Sequence, residues 1–201
     1  MRKTLHTLIA LLALFSVATQ FYLMLENRTT SLTEMIIRFF SFFTILTNTL
    51  VALYFGILSL NRKKMPGFLS HTESLTFVTV YIFVVGLVYQ IALRHVWEPT
   101  GLQMVVDELL HTAIPILVFL YWALYSTRTA FEWNHLPKLL AYPGIYLVYI
   151  LCRGKLSDFY PYPFLDVANL GWTLTLQNIT VLFLLFIVLF LAFKGLRKIL
   201  P

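Results

Sequence analysis

Six apolar stretches, nearly free of charge and each about as long as a bilayer is thick, dominate this chain. They run over Leu5–Leu25, Met35–Leu58, Thr72–Arg94, Met104–Tyr125, Pro137–Arg153 and Trp172–Phe193. The fifth is the shortest. A run of this length is read as a transmembrane helix, because lipid leaves a backbone no other way to satisfy its amides. The connecting segments are short and carry the breakers Pro66-Gly67, Pro99-Thr100-Gly101 and Tyr160-Pro161-Tyr162-Pro163. The spacing predicts an all-α polytopic membrane protein: one domain over residues 1–201, a bundle of six transmembrane helices. There is no internal repeat and no low-complexity tract.

Composition agrees. Apolar and aromatic residues make up 59% and charged residues 12% of the 201, against about 45–50% and about 25% in a soluble domain. A soluble globular domain and a disordered chain are both excluded. The single cysteine, Cys152, excludes an internal disulfide framework and a multi-cysteine metal site.

The net charge of +6 reads as orientation and not as a nucleic-acid signal. Ten basic residues fall on one side: Arg2, Lys3, Arg62, Lys63, Lys64, Arg128, Lys138, Lys194, Arg197 and Lys198. Four fall on the other: Arg28, Arg94, Arg153 and Lys155. Arg38 lies within the second window. The acids lean the opposite way, with Glu26, Glu34, Glu98, Asp107, Glu108, Asp158 and Asp166 facing Glu73 and Glu132. An even number of spans with both termini in the cytoplasm fits this asymmetry. Met1–Thr7 with Ser16-Val17-Ala18 has the pattern of a cleavable signal. Apolar character continues through Phe21–Leu25, so an uncleaved first span is expected.

Polar residues inside such windows are costly unless they face protein or water, and they point to function. Read as one helix, the second window brings Arg38, Ser41, Thr44 and Asn48 onto one face, with Thr47 and Thr49 beside them. Helix-to-helix hydrogen bonding explains such a face equally well. The fourth window holds Asp107 and His111, one turn apart, where a carboxylate can orient an imidazole. Thr44 and His111 fall at about 13 Å and about 10 Å from the same side of their windows, at 1.5 Å per residue. A hydroxyl and an imidazole at one depth is what nucleophile activation needs. At that level also lie Gln90 and Arg94 at the end of the third window with His95 just after it, and Tyr142, Tyr146, Tyr149 and Arg153 along the fifth. Thr173, Gln177, Thr180 and Asn178 occupy the sixth.

Three short segments then stand in order between residues 39 and 178. Phe43-Thr44 leads to Ala52-Leu53-Tyr54-Phe55-Gly56. Leu110-His111-Thr112 is followed by Pro115. Tyr160-Pro161 leads into Tyr162-Pro163-Phe164-Leu165-Asp166. Together they resemble the androgen-induced integral membrane hydrolase family, and the wording from Arg38 to Asn48 is similar to its prokaryotic branch. The animal members hydrolyse fatty acid esters of hydroxy fatty acids with a threonine nucleophile and a histidine. The resemblance implies Thr44 and His111 in those roles. The chain departs from the animal pattern in having Thr47-Asn48 near an acidic position, and Asp107 where an uncharged polar residue is expected.

The expected activity is therefore intramembrane ester hydrolysis on a lipid taken from the bilayer, without a cofactor and without a metal. Thr44 is the nucleophile and His111 the base. Asp107 steadies the imidazolium, and Asn48 or Asn178 donates to the oxyanion. Arg38 pairs with a substrate carboxylate, and Ser41, Gln90, Tyr146 and Arg153 line the pocket. The expected location is a bacterial inner membrane. Three rivals use the same residues. A transporter or binding protein for a small amphiphile would use the polar pocket for passage, although no repeat favours it. A haem protein would use His95 and His111 as axial ligands, since His6, His71 and His135 lie on the opposite side. A zinc hydrolase would draw on His111, Asp107 and His95. No Gly-x-Ser-x-Gly elbow is present.

Overall fold

The computed structural model describes residues 2–60, 73–96, 98–126 and 132–199. His71, Thr72, Pro66-Gly67 and the basic residues Arg62, Lys63, Lys64 and Arg128 lie outside them. The described residues are helical, and no strand occurs among them. The chain divides into two compact units, residues 1–129 and 130–201, each taken by itself below.

The first unit contains α1 (Arg2–Glu26), α2 (Leu32–Phe39), α3 (Phe43–Ser59) and α4 (Ser74–Val88), which runs on into a π turn, π1 (Tyr89–Leu93). α5 (Gly101–Glu108) then passes through a second π turn, π2 (Leu109–Ala113), into α6 (Ile114–Tyr125). α1 packs along α3, α3 on α4, and α4 on α6, while π2 touches α1, α3 and α4. α4 is the most enclosed helix of the unit.

Burial follows the logic of a lipid solvent. On α1 the buried residues are Ile9, Ala13 and Ser16, while Leu8, Leu11, Leu14 and Phe15 face outward. The small residues allow close approach to α3, and the large ones gain nothing from protein that lipid does not give them. Polar bonds cross between helices: Trp122 Nε1 donates to Thr76 Oγ1 at 2.9 Å, and His6 Nε2 meets the Tyr121 hydroxyl at 2.6 Å.

The second window does not form the one straight helix expected from its sequence. It divides into α2 and α3, bent by 71° across residues 40–42. No Gly or Pro stands at the break. Phe40, Ser41 and Phe42 close it with short backbone bonds to Ile36, Arg38 and Phe39. Ser41, fully buried, gives its hydroxyl to the Ile37 carbonyl at 2.7 Å and so satisfies a group the bend would orphan. The single polar face drawn through Arg38, Ser41, Thr44 and Asn48 is thereby corrected, since Arg38 and Thr44 belong to differently directed helices.

The π2 turn also has a chemical cause. Ile114 N–H bonds to Leu109 O, five residues back. The next residue, Pro115, has no N–H to give Leu110 O. Asn48 Nδ2, from α3, donates to that carbonyl at 3.3 Å. Gly86 lets α4 approach here, since a Cβ on it would lie 3.1 Å from both His111 O and Pro115 Cβ.

The second unit holds α7 (His135–Ser157) and α8 (Val167–Ile199), joined through a short 3₁₀ turn, Pro163–Leu165. Gly171, at φ 73°, breaks α8 near its start, so its long straight part begins where the sixth apolar window does. Among the described residues five helical segments are long and apolar enough to cross a membrane, and the bent α2–α3 pair makes a sixth if it counts as one span.

Candidate active site

The break between α2 and α3 leaves Thr44 in the first turn of α3, and the π2 turn carries His111. The two meet: Thr44 Oγ1 lies 3.3 Å from His111 Nε2. The other ring nitrogen, Nδ1, lies 3.0 Å from Asp107 O and 3.2 Å from Asp107 Oδ1. Both of those are acceptors, so Nδ1 must carry the ring hydrogen. Nε2 then presents its lone pair, and the Thr44 hydroxyl donates to it. Asp107 is 5% exposed and Thr44 8% exposed, while His111 is partly buried, so the carboxylate and the hydroxyl are enclosed by protein.

Asn48, one turn after Thr44, braces the site from below. Its Nδ2 donates to Thr44 O at 2.9 Å as well as to Leu110 O, tying α3 to π2 beside both reactive groups. Its donor is therefore already engaged by backbone carbonyls, a structural use that the oxyanion role expected for it did not anticipate. The Tyr89 ring stacks on the His111 imidazole with centroids 4.2 Å apart and planes 12° apart.

A second polar layer flanks the first. Thr112 donates to Glu108 Oε2 at 2.7 Å and accepts from Gln90 Nε2 at 2.9 Å. Arg94 bonds Gln90 Oε1 at 3.0 Å and Glu108 Oε1 at 2.5 Å. Gln90 thus fastens π1 to π2. Adjacent residues Asp107 and Glu108 serve different layers, one the imidazole and the other Thr112 and Arg94.

The remaining expected residues have these positions. Arg38 is ion-paired with Glu34 at 2.7 Å, one turn back on α2. It lines an open cavity of about 630 Å³ together with Gln20, Arg28, Met35, Glu98 and Gln103. Ser41 is spent on the bend. Tyr146, Arg153 and Asn178 belong to the second unit. There Arg153 bonds Ser157 and lies 5.0 Å over the Phe159 ring, while Asn178 Nδ2 donates to Phe164 O at 2.9 Å. His95 is exposed on the turn after π1. Among the described residues no group of three or more His, Cys, Asp and Glu is arranged to hold a metal ion.

Tyr89 was not singled out from the sequence, nor were Thr112 and Glu108 as a pair. An aromatic residue in an apolar run carries no signal of its own. The Tyr89 ring meets His111 only because α4 packs against π2. No family model, curated protein or solved structure matches the chain.

Proposed function

We propose that the chain is an integral-membrane ester hydrolase acting on fatty acyl esters, such as those of hydroxy fatty acids, with Thr44 as nucleophile. The observation that carries this reading is the buried relay from Thr44 Oγ1 through the His111 ring to Asp107. His111 Nε2 takes the hydroxyl proton as Oγ attacks the ester carbonyl carbon. The carbonyl oxygen becomes an oxyanion near the positive end of the α3 dipole. Collapse expels the alcohol, which leaves with the proton held on Nε2. Water then repeats the sequence on the acyl-threonine and releases the acid. Asp107 keeps its carboxylate against the Nδ1–H throughout. The similarity of the Thr44 and His111 segments to the androgen-induced hydrolases supports the same reading.

The charge asymmetry supports both termini on one side of a plasma-type membrane, in the cytoplasm. That requires α2 and α3 to serve as one broken span. Substrate reaches the site from the lipid, and Arg38 and Arg28 in the cavity suit an anionic end.

The test is labelling of the membrane-embedded protein by a fluorophosphonate, with the adduct located by peptide mass spectrometry. The expected result is one adduct on Thr44, lost in Thr44→Ala and in His111→Ala. Undiminished labelling of Thr44→Ala would overturn the assignment. The cavity favours a second reading, binding or passage of an amphiphile. It would be supported if the wild type resists the probe yet a spin-labelled fatty acid binds and Arg38→Ala weakens that binding.

A further inference from the structure

Hydrogen bonds at Nδ1 and Nε2 set the direction of the His111 ring, but the bond at Nε2 is long at 3.3 Å and leaves the ring room to rock about χ2. A contact on the face of the ring limits that rocking. The Tyr89 ring lies flat on that face, 4.2 Å away and tilted by 12°. Tyr89 is itself 4% exposed, its phenol interacts with the Asp107 carboxylate, and two further arrangements hold the ring there. Gly86, one turn earlier, removes the Cβ that would push the π2 backbone away. The Arg94 guanidinium stands 5.8 Å from the Tyr89 ring centroid, anchored by Gln90 and Glu108.

A stacked ring does more than block motion. When Nε2 gains a proton the imidazole becomes a cation lying on an electron-rich face, a favourable cation–π geometry. An edge-on aromatic would do neither. The groups that face His111 are few. Asp107 comes from its own helix and Tyr89 from π1, while α3 contributes Thr44 and Asn48. Glu108 and Arg94 lie one layer out. α1 brings Val17 and Phe21 to the neighbouring core around Leu110.

We propose that Tyr89 is a positioning residue for His111: its ring holds the imidazole plane so that Nε2 faces the Thr44 hydroxyl, and it supports the protonated ring. The catalytic consequence rests on the hydrolase reading, whereas the positioning itself does not, and the experiment separates the two. Wild type, Tyr89→Phe and Tyr89→Leu are prepared in lipid nanodiscs. Each is followed by the rate of fluorophosphonate labelling and by the proton shifts of the ¹³C-labelled His111 ring, assigned with His111→Gln. Tyr89→Met, which fills space without a ring, replaces Tyr89→Leu if that variant does not fold.

Tyr89→Leu should lose the ring-current shift of the His111 protons and label about tenfold more slowly, the size an aromatic pair supplies. Tyr89→Phe should keep both the shift and a rate within about twofold of wild type, because the face survives. Unchanged His111 ring shifts in Tyr89→Leu would overturn the proposal, as would a wild-type labelling rate. A Tyr89→Phe protein that keeps the shift but labels as slowly as Tyr89→Leu would overturn it too, by assigning the effect to the phenol oxygen. If the wild type does not label at all, the hydrolase reading fails and the ring shifts alone decide the positioning.

Discussion

At the scale of residues, the second unit offers a clean titration. Tyr160 lies in the segment after α7, outside the helices that cross. Gly154 leaves room for its ring, since a Cβ there would overlap the ring atoms. Burial, and then the nearby Asp166 and Asp158 carboxylates, raise the Tyr160 phenol above its ordinary 10.0. The folded chain therefore keeps this proton when the unfolded chain would release it. The stability it contributes is fully present below the ordinary value and declines as pH rises through the higher folded one. Thermal unfolding between neutral pH and the alkaline range should show that decline in the wild type, and Tyr160→Phe should flatten it. Parallel curves for the two proteins would remove Tyr160 from the account. At the site, the Asp107–His111 pair was legible because one-turn spacing survives any small change of helix register. Thr44 was legible by depth. Tyr89 and the double use of Asn48 were not, because both depend on how two neighbouring helices depart from ideal geometry.

At the scale of elements, the departures are what make the site. Residues 39–43 are Phe39, Phe40, Ser41, Phe42 and Phe43, a run that reads as continuous apolar helix with no breaker. The bend there is decided by tertiary packing, with Phe39 and Ile45 on either side of it entering one cluster with Val106 and Leu110. Pro115 was visible, but its effect falls five residues upstream on the Leu110 carbonyl, where spacing rules do not look. This gives a prediction at the same scale. Asn48→Ala should destabilise the protein by about 1–2 kcal/mol, the cost of a buried carbonyl left without a donor. Pro115→Ala returns an N–H to that turn, so Asn48→Ala should cost less in the Pro115→Ala background, by at least about 0.5 kcal/mol. Reversible unfolding of the four proteins in mixed micelles measures the difference. Equal costs in both backgrounds would mean that Asn48 does not stand in for the missing amide.

At the scale of the whole molecule, hydropathy decided the class: the apolar windows are the helices, apart from the bend, because in lipid length and apolarity leave a chain few choices. Hydropathy cannot tell whether the bent pair crosses or returns to its own side. Single cysteines placed in a Cys152→Ser background at Lys3, Glu98, Asp158 and Lys198 would decide it with a membrane-impermeant maleimide. Positions 3 and 198 should react from one side and positions 98 and 158 from the other. Reaction of 3 and 198 from opposite sides would mean an odd number of crossings, with α2 and α3 as a re-entrant hairpin.

The interruption at residues 40–42 also bears on how this protein can vary in length. Inside an unbroken helix, one added residue turns everything beyond it by about 100° and advances it by about 1.5 Å. A hydroxyl placed by such a helix would be hostage to every insertion or deletion before it. Thr44 is not, because its bearing is set by a helix that begins one residue earlier. Insertions and deletions in the residues joining α1 to α2 can be absorbed before the corner, leaving the distance from Oγ1 to His111 as it is. The corner thus uncouples the length of the segment joining α1 to α2 from the aim of the residue just after the bend.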